Sequence, residues 1–247
     1  PAVRRGRRIE LMDRPFPPEW ERILERKVFL YRHMPPDLKD QLKRLINVFL
    51  EEKRFEGCGG LEINDKIRLV VAAEACLLML NREPRFYPSL TAILVYPRPY
   101  VAGTIRQMGR EYLEDAEVRA GESWSRGELV LAWDEAEYGA AGFHEGYSVI
   151  MHEFAHQLDQ ANGFADGAPE LDAPARYADW SRTLRERFES LCDDVEDGRE
   201  NALDEYGASD PAEFFAVATE AFFHDSTVLR DEQPDLYERL KEYYKVD

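Results

Sequence analysis

Between Ser148 and Asp159 the chain reads Ser-Val-Ile-Met-His-Glu-Phe-Ala-His-Gln-Leu-Asp, a His-Glu-x-x-His pattern inside an apolar run that a helix can carry. On an α-helix, residues four apart lie about 40° apart around the axis and roughly 6 Å apart along it, so the imidazoles of His152 and His156 point the same way. Two rings so placed can share one tetrahedral zinc ion, with Glu153 flanking it as a base that need not ligate. Ser148 is the expected N-cap, and Asn162-Gly163 the expected end of the helix.

A catalytic zinc takes three protein ligands and a water, so a third ligand is needed. The extended pattern that continues with Gly and a third His is excluded, because Asp159 and Asn162 occupy those places. Asp159 is a candidate either to orient an imidazole or to finish the helix. His144 and His224 have ligand chemistry but no supporting pattern. Glu213 and Glu220, seven residues apart, share one side of a helix expected from Pro211 to Phe223. Glu213 also fits a capping box behind Asp210. Pattern leaves the choice between these two carboxylates open.

The segment Lys53-Arg54-Phe55-Glu56-Gly57-Cys58-Gly59-Gly60-Leu61-Glu62, the motif His152 through Asp159, and Tyr206 seven residues before Glu213 together resemble the glutamate-ligated zincins, in particular the Mlc titration factor A peptidase family. The resemblance runs from about Arg14 to Phe223. It implies zinc ligands His152, His156 and Glu213, a general base in Glu153 and an active-site hydroxyl in Tyr206. It further implies a cytoplasmic peptidase that cleaves small peptides as an aminopeptidase does and binds a transcriptional repressor of the Mlc type. The alternative it leaves is a regulatory binding protein that sequesters a transcription factor, with the zinc site of minor catalytic importance.

The expected architecture is α+β: a mostly helical zincin-like metallopeptidase with a small sheet beside the HExxH helix. One domain is expected over residues 1–247, with a basic flexible tail to residue 16, a helical scaffold with one strand over 17–125, and the zinc-binding core from 126. Leu90–Tyr96 and Gly127–Trp133 read as strands, the second able to hold an extended peptide, and 101–125 reads as loop. Pro17-Pro18-Glu19-Trp20 opens a short helix and Pro35-Pro36-Asp37 a longer one. The nearly all-apolar run from Asp65 to Leu80 is a buried helix in which Glu74 needs a partner or sits near the site. Asp193–Gly198 reads as a solvated acidic turn. Gly57-Cys58-Gly59-Gly60 is a turn and no phosphate loop, lacking a following Gly-Lys-Ser or Gly-Lys-Thr.

A formal net charge of -17 disfavours direct contact with nucleic acid. No stretch approaches the ~20 apolar residues of a membrane span, and Arg4, Arg5, Arg7 and Arg8 are not followed by the apolar run of a secretory signal. Cys58, Cys76 and Cys192 fit neither a disulfide framework nor a Cys-x-x-Cys metal site, and are expected to be reduced and mostly buried.

Overall fold

The computed structural model describes residues 2–99, 127–142 and 147–247. The described chain is mostly helical, with one small parallel sheet. It divides into two compact units, Pro1–Leu77 with Pro88–Phe143, and Leu78–Tyr87 with His144–Asp247.

The first unit holds helices α1 (Ala2–Met12), α2 (Pro18–Lys27), α3 (Phe29–His33), α4 (Pro36–Glu52), α5 (Asp65–Leu77) and α6 (Trp133–Ala140), and strands β1 (Arg54–Gly57), β2 (Ala92–Tyr96) and β3 (Glu128–Ala132). The strands pair in parallel in the order β1-β2-β3, with Arg54 opposite Ala92 and Ala92 opposite Glu128. Prolines 18 and 36 stand in the first turns of α2 and α4, where a missing N–H costs nothing. Ten of the thirteen residues of α5 are buried, as a nearly all-apolar run requires, and Glu74 is buried among them. Trp133 is buried, with the ammonium of Lys66 5.2 Å from its ring centroid.

Two expectations change here. The basic N-terminus is not a flexible tail but helix α1, docked on α4. Arg8 grips Glu52 with a two-pronged contact (2.7 and 2.8 Å), Arg4 reaches the same carboxylate at 3.0 Å, and Arg7 reaches Glu51 at 2.6 Å. Burial of Glu52 works against ionisation, but the hydrogen bonds from Arg8 and Arg4 prevail and hold its pKa near about 2. The sheet also contains β1, a short and largely exposed strand with no apolar alternation for sequence reading to find.

The second unit holds α7 (Val149–Asp159), α8 (Tyr177–Asp197), α9 (Pro211–His224), α10 (Ser226–Glu232) and α11 (Pro234–Tyr244). α9 packs on α7, and α11 packs on α8. Phe215, Phe222, Trp180, Tyr237, Tyr243 and Tyr244 form a chain of aromatic contacts, with centroids 4.8–6.0 Å apart, that joins α8, α9 and α11. Asp193–Asp197 belongs to α8 and is not a turn. Arg199 bonds to Asp194 (2.7 Å) and to Asp197, Asn201 also bonds to Asp194 (2.7 Å), and Gly198 ends the helix at φ 65°. These partners offset the repulsion that made the acidic run look unhelical.

The segment 101–125 and His144 lie outside the described residues. All three cysteines are free, and only Cys76 is fully buried, so the thiols are less enclosed than expected.

Candidate metal centre

α7 begins where expected. Ser148 is extended (φ -147°, ψ 107°), and its hydroxyl accepts the N–H of Met151 at 3.3 Å. The helix gives way after Asp159 to one 3₁₀ turn over Gln160–Asn162, which Gly163 stops in the left-handed region at φ 95°. His152, Glu153 and His156 are all buried on this helix.

α9 begins at Asp210, whose carboxylate accepts the N–H groups of Ala212 (2.8 Å) and Glu213 (3.0 Å). Glu213 thus sits at the third helical position. Its carboxylate faces the histidines, with one oxygen 2.9 Å from His152 Nε2 and the other 3.1 Å from His156 Nε2. The two Nε2 atoms are 3.2 Å apart. Among the described residues, His152, His156 and Glu213 form the one group of three or more His, Cys, Asp and Glu residues whose ligand atoms converge enough to hold a metal ion. His224, the last residue of α9, is outside that group.

Glu220, two turns further along α9, does different work. Its Oε2 accepts the backbone N–H of Ser148 at 2.6 Å, and its Oε1 lies 2.7 Å from His152 Nδ1. Both oxygens act as acceptors, so His152 Nδ1 carries a proton; a metal at Nε2 would make that the ring's one proton, and without a metal the Glu213 carboxylate accepts a second from Nε2. The competition between the two glutamates is thereby resolved in space: Glu213 lies on the Nε2 side of His152 and Glu220 on the Nδ1 side. The signal that could have found this is the seven-residue spacing itself, which puts both carboxylates within reach of one buried ring.

Two imidazole nitrogens and a carboxylate, brought this close in a buried site, need positive charge between them. Donors on a tetrahedral zinc stand roughly 3.3 Å apart, so the observed separations suit one. A proton answers the same need: burial of His152 opposes charging, but Glu220 and Glu213 outweigh it and hold the imidazole pKa well above its usual value. Burial pushes Glu153 up against the pull of His156 and His152, and its Oε2 has no hydrogen-bond partner. A buried carboxylate with an uncommitted oxygen and a raised pKa is better suited to accept a proton than an ordinary surface carboxylate.

Tyr206 lies on a 3₁₀ turn, Glu205–Ala208, started by Asp204 accepting the Tyr206 N–H at 2.9 Å. Its ring centroid is 6.0 Å from that of His152. Gly207 brings the turn in: a Cβ there would lie 3.2 Å from Leu191 and 3.3 Å from Val217. The five residues expected to form the site are therefore gathered within one unit. Asp159, fully buried, accepts the N–H of Gly167 at 2.9 Å and so closes the loop after the helix.

Residues 2–245 match the family model described as glucose-regulated metallo-peptidase M90. The chain belongs to that family. An uncharacterized protein of Synechocystis is 38% identical over 243 residues, covering 98% of this chain and 88% of its own length. Mlc titration factor A of Escherichia fergusonii is 31% identical over 222 residues, covering 87% of this chain and 82% of its own. The same-named protein of Escherichia coli is 32% identical over 216 residues, covering 85% and 79%. The likeness to this M90 family reaches further at both ends than the matched segments of the sequence suggested, taking in α1 and α11.

Proposed function

We propose that this M90-family chain is a zinc-dependent peptidase acting on small peptides in the manner of an aminopeptidase. The convergence of His152 Nε2, His156 Nε2 and the Glu213 carboxylate, within 2.9–3.2 Å of one another, carries the reading. These three residues would hold the ion. A zinc ion supplies Lewis acidity, lowering the pKa of a water towards ~7 and polarising a peptide carbonyl.

The chain's own groups do the rest. Glu153 takes the proton of the attacking water on its free oxygen and passes it to the leaving amine. Its raised pKa favours both transfers, since a carboxylate far below neutrality holds a proton too briefly to deliver it. Tyr206 donates its phenol to the oxyanion that develops at the scissile carbonyl, a contact whose loss typically costs about 100-fold or more in rate. Glu220 keeps His152 in the tautomer that leaves Nε2 free.

The test is metal analysis with a peptide-library digest on the wild type and on Glu153→Gln. One zinc per chain in both, with cleavage only in the wild type, is the expected result. Zinc-loaded wild type that cleaves nothing in a broad library sinks the proposal.

A second role is suggested by the relatives named Mlc titration factor A: binding a transcriptional repressor of that type. The alternative reading makes this binding the main activity and the zinc site secondary. Glu153→Gln separates the two, because unchanged repressor affinity with lost hydrolysis makes binding independent of chemistry. The cytoplasm suits both roles and suits three free cysteines. No described helix is long and apolar enough to cross a membrane.

A further inference from the structure

Glu220 ties α7 to α9 at the His152 end of the cluster; a second buried carboxylate, Asp159, stands at the other end of α7. Its partner Gly167 is committed on three sides. The Gly167 N–H is taken by Asp159 Oδ2 at 2.9 Å, and its carbonyl accepts Trp180 Nε1 of α8 at 3.2 Å. Where a side chain would begin, the backbone of Pro211 intervenes: an added Cβ would lie 2.3 Å from the Pro211 carbonyl oxygen, and the residue's φ of +72° already favours glycine. Pro211 opens α9, two residues before Glu213.

The loop between Asp159 and Gly167 is braced from within. Asn162 accepts the Phe164 N–H (2.8 Å) and donates to the Ala168 carbonyl (2.9 Å), and Asp166 accepts the Ala168 N–H (3.2 Å). These bonds tie Gly167 to the loop on both sides of it. One route of direct contacts runs from Asp159, three residues after His156 on α7, through Gly167 to the helical turn that carries Glu213.

We infer that Asp159 is a positioning residue for the metal site, setting through Gly167 the separation between the first turn of α9 and the histidines of α7. The inference rests on reading His152, His156 and Glu213 as metal ligands. Asp159 touches neither metal nor substrate, and acts only on where the Glu213 carboxylate lies. Metal–ligand distances tolerate about 0.2 Å, so a small slip of α9 along α7 is felt as lost affinity. Glu220 and Asp159 then bracket the site, one fixing the ring of His152 and the other fixing the reach of Glu213.

The test is zinc affinity of the full chain by chelator competition, with thermal melting of the metal-free protein in parallel. Asp159→Ala, Asp159→Asn and Gly167→Ala are each measured with Glu213 present and in a Glu213→Ala background. Asp159→Ala and Gly167→Ala are expected to weaken zinc binding by about 10- to 100-fold, and Asp159→Asn, whose amide oxygen still accepts from Gly167, by no more than about threefold. In the Glu213→Ala background Asp159→Ala adds less than about twofold, because the strut has lost the group it positions. An equal loss with and without Glu213 overturns the inference, as does unchanged zinc affinity in Asp159→Ala. Should Asp159→Ala fail to fold, the contrast of Gly167→Ala with Asp159→Asn decides in the same way. Failure of the wild type itself to bind zinc removes the metal reading instead.

Discussion

His152 is held on both ring nitrogens by carboxylates of one helix, Glu220 at Nδ1 and Glu213 at Nε2. Removing the first should loosen the second. Glu220→Ala is expected to lower zinc affinity by about 10- to 100-fold. Glu220→Gln should fall between that variant and the wild type, since one amide oxygen cannot serve both Ser148 and His152; calorimetric titration of metal-free protein measures all three. Asp159 gives a separate, pH-dependent signature. Burial, against the pull of the Gly167 N–H, raises its pKa from 3.8 to about 6. Its contribution to stability is then complete below about pH 3.8 and is lost as pH rises through about 6. Asp159→Asn, which carries no charge, should remove up to about 2 kcal/mol of the decline between those pH values. Urea unfolding of metal-free protein at pH 4, 5 and 6 checks it, and identical slopes for the two proteins would refute it.

At the scale of elements, α1 meets α4 through the ion pairs of Arg4, Arg7 and Arg8 and, among its residues whose burial is described, through one buried hydrophobic residue, Leu11. Glu52→Gln should raise amide exchange across Ala2–Met12 about fivefold, the equivalent of about 1 kcal/mol, and leave α4 and α5 unchanged. In the wild type the docking is complete above about pH 4.5 and is lost as pH falls towards about 2, following the depressed pKa of Glu52. That helix also shows where sequence reading runs out. Four arginines in a short segment look like a solvated tail because Glu51 and Glu52, the partners of Arg4, Arg7 and Arg8, lie more than forty residues away in the chain. Strand β1 was hidden for a related reason: it is made by its pairing with β2, not by any pattern of its own. The helices that carry the candidate metal site were legible, because caps at Ser148 and Asp210 and the spacing of His152 and His156 are local signals. The division of labour between Glu213 and Glu220 was not, since it depends on the direction from which α9 meets α7. Asp159 was ambiguous for want of its partner, Gly167.

For the whole molecule, a metal that binds only the folded chain adds to its stability by mass action. Zinc at about 1,000 times its Kd is expected to add about 4 kcal/mol, and a chelator should take the same amount away. Melting curves with and without chelator test this in the wild type, with Glu213→Ala as the control whose curve moves least. The parallel sheet of the first unit bears on a different matter, the making of the protein. Its strands stand side by side in the order in which the ribosome delivers them: Arg54–Gly57 first, Ala92–Tyr96 beside it, Glu128–Ala132 last. Strand order and chain order coincide, so a sheet built one strand at a time from the N-terminal side would never have to undo an earlier pairing to admit a later arrival.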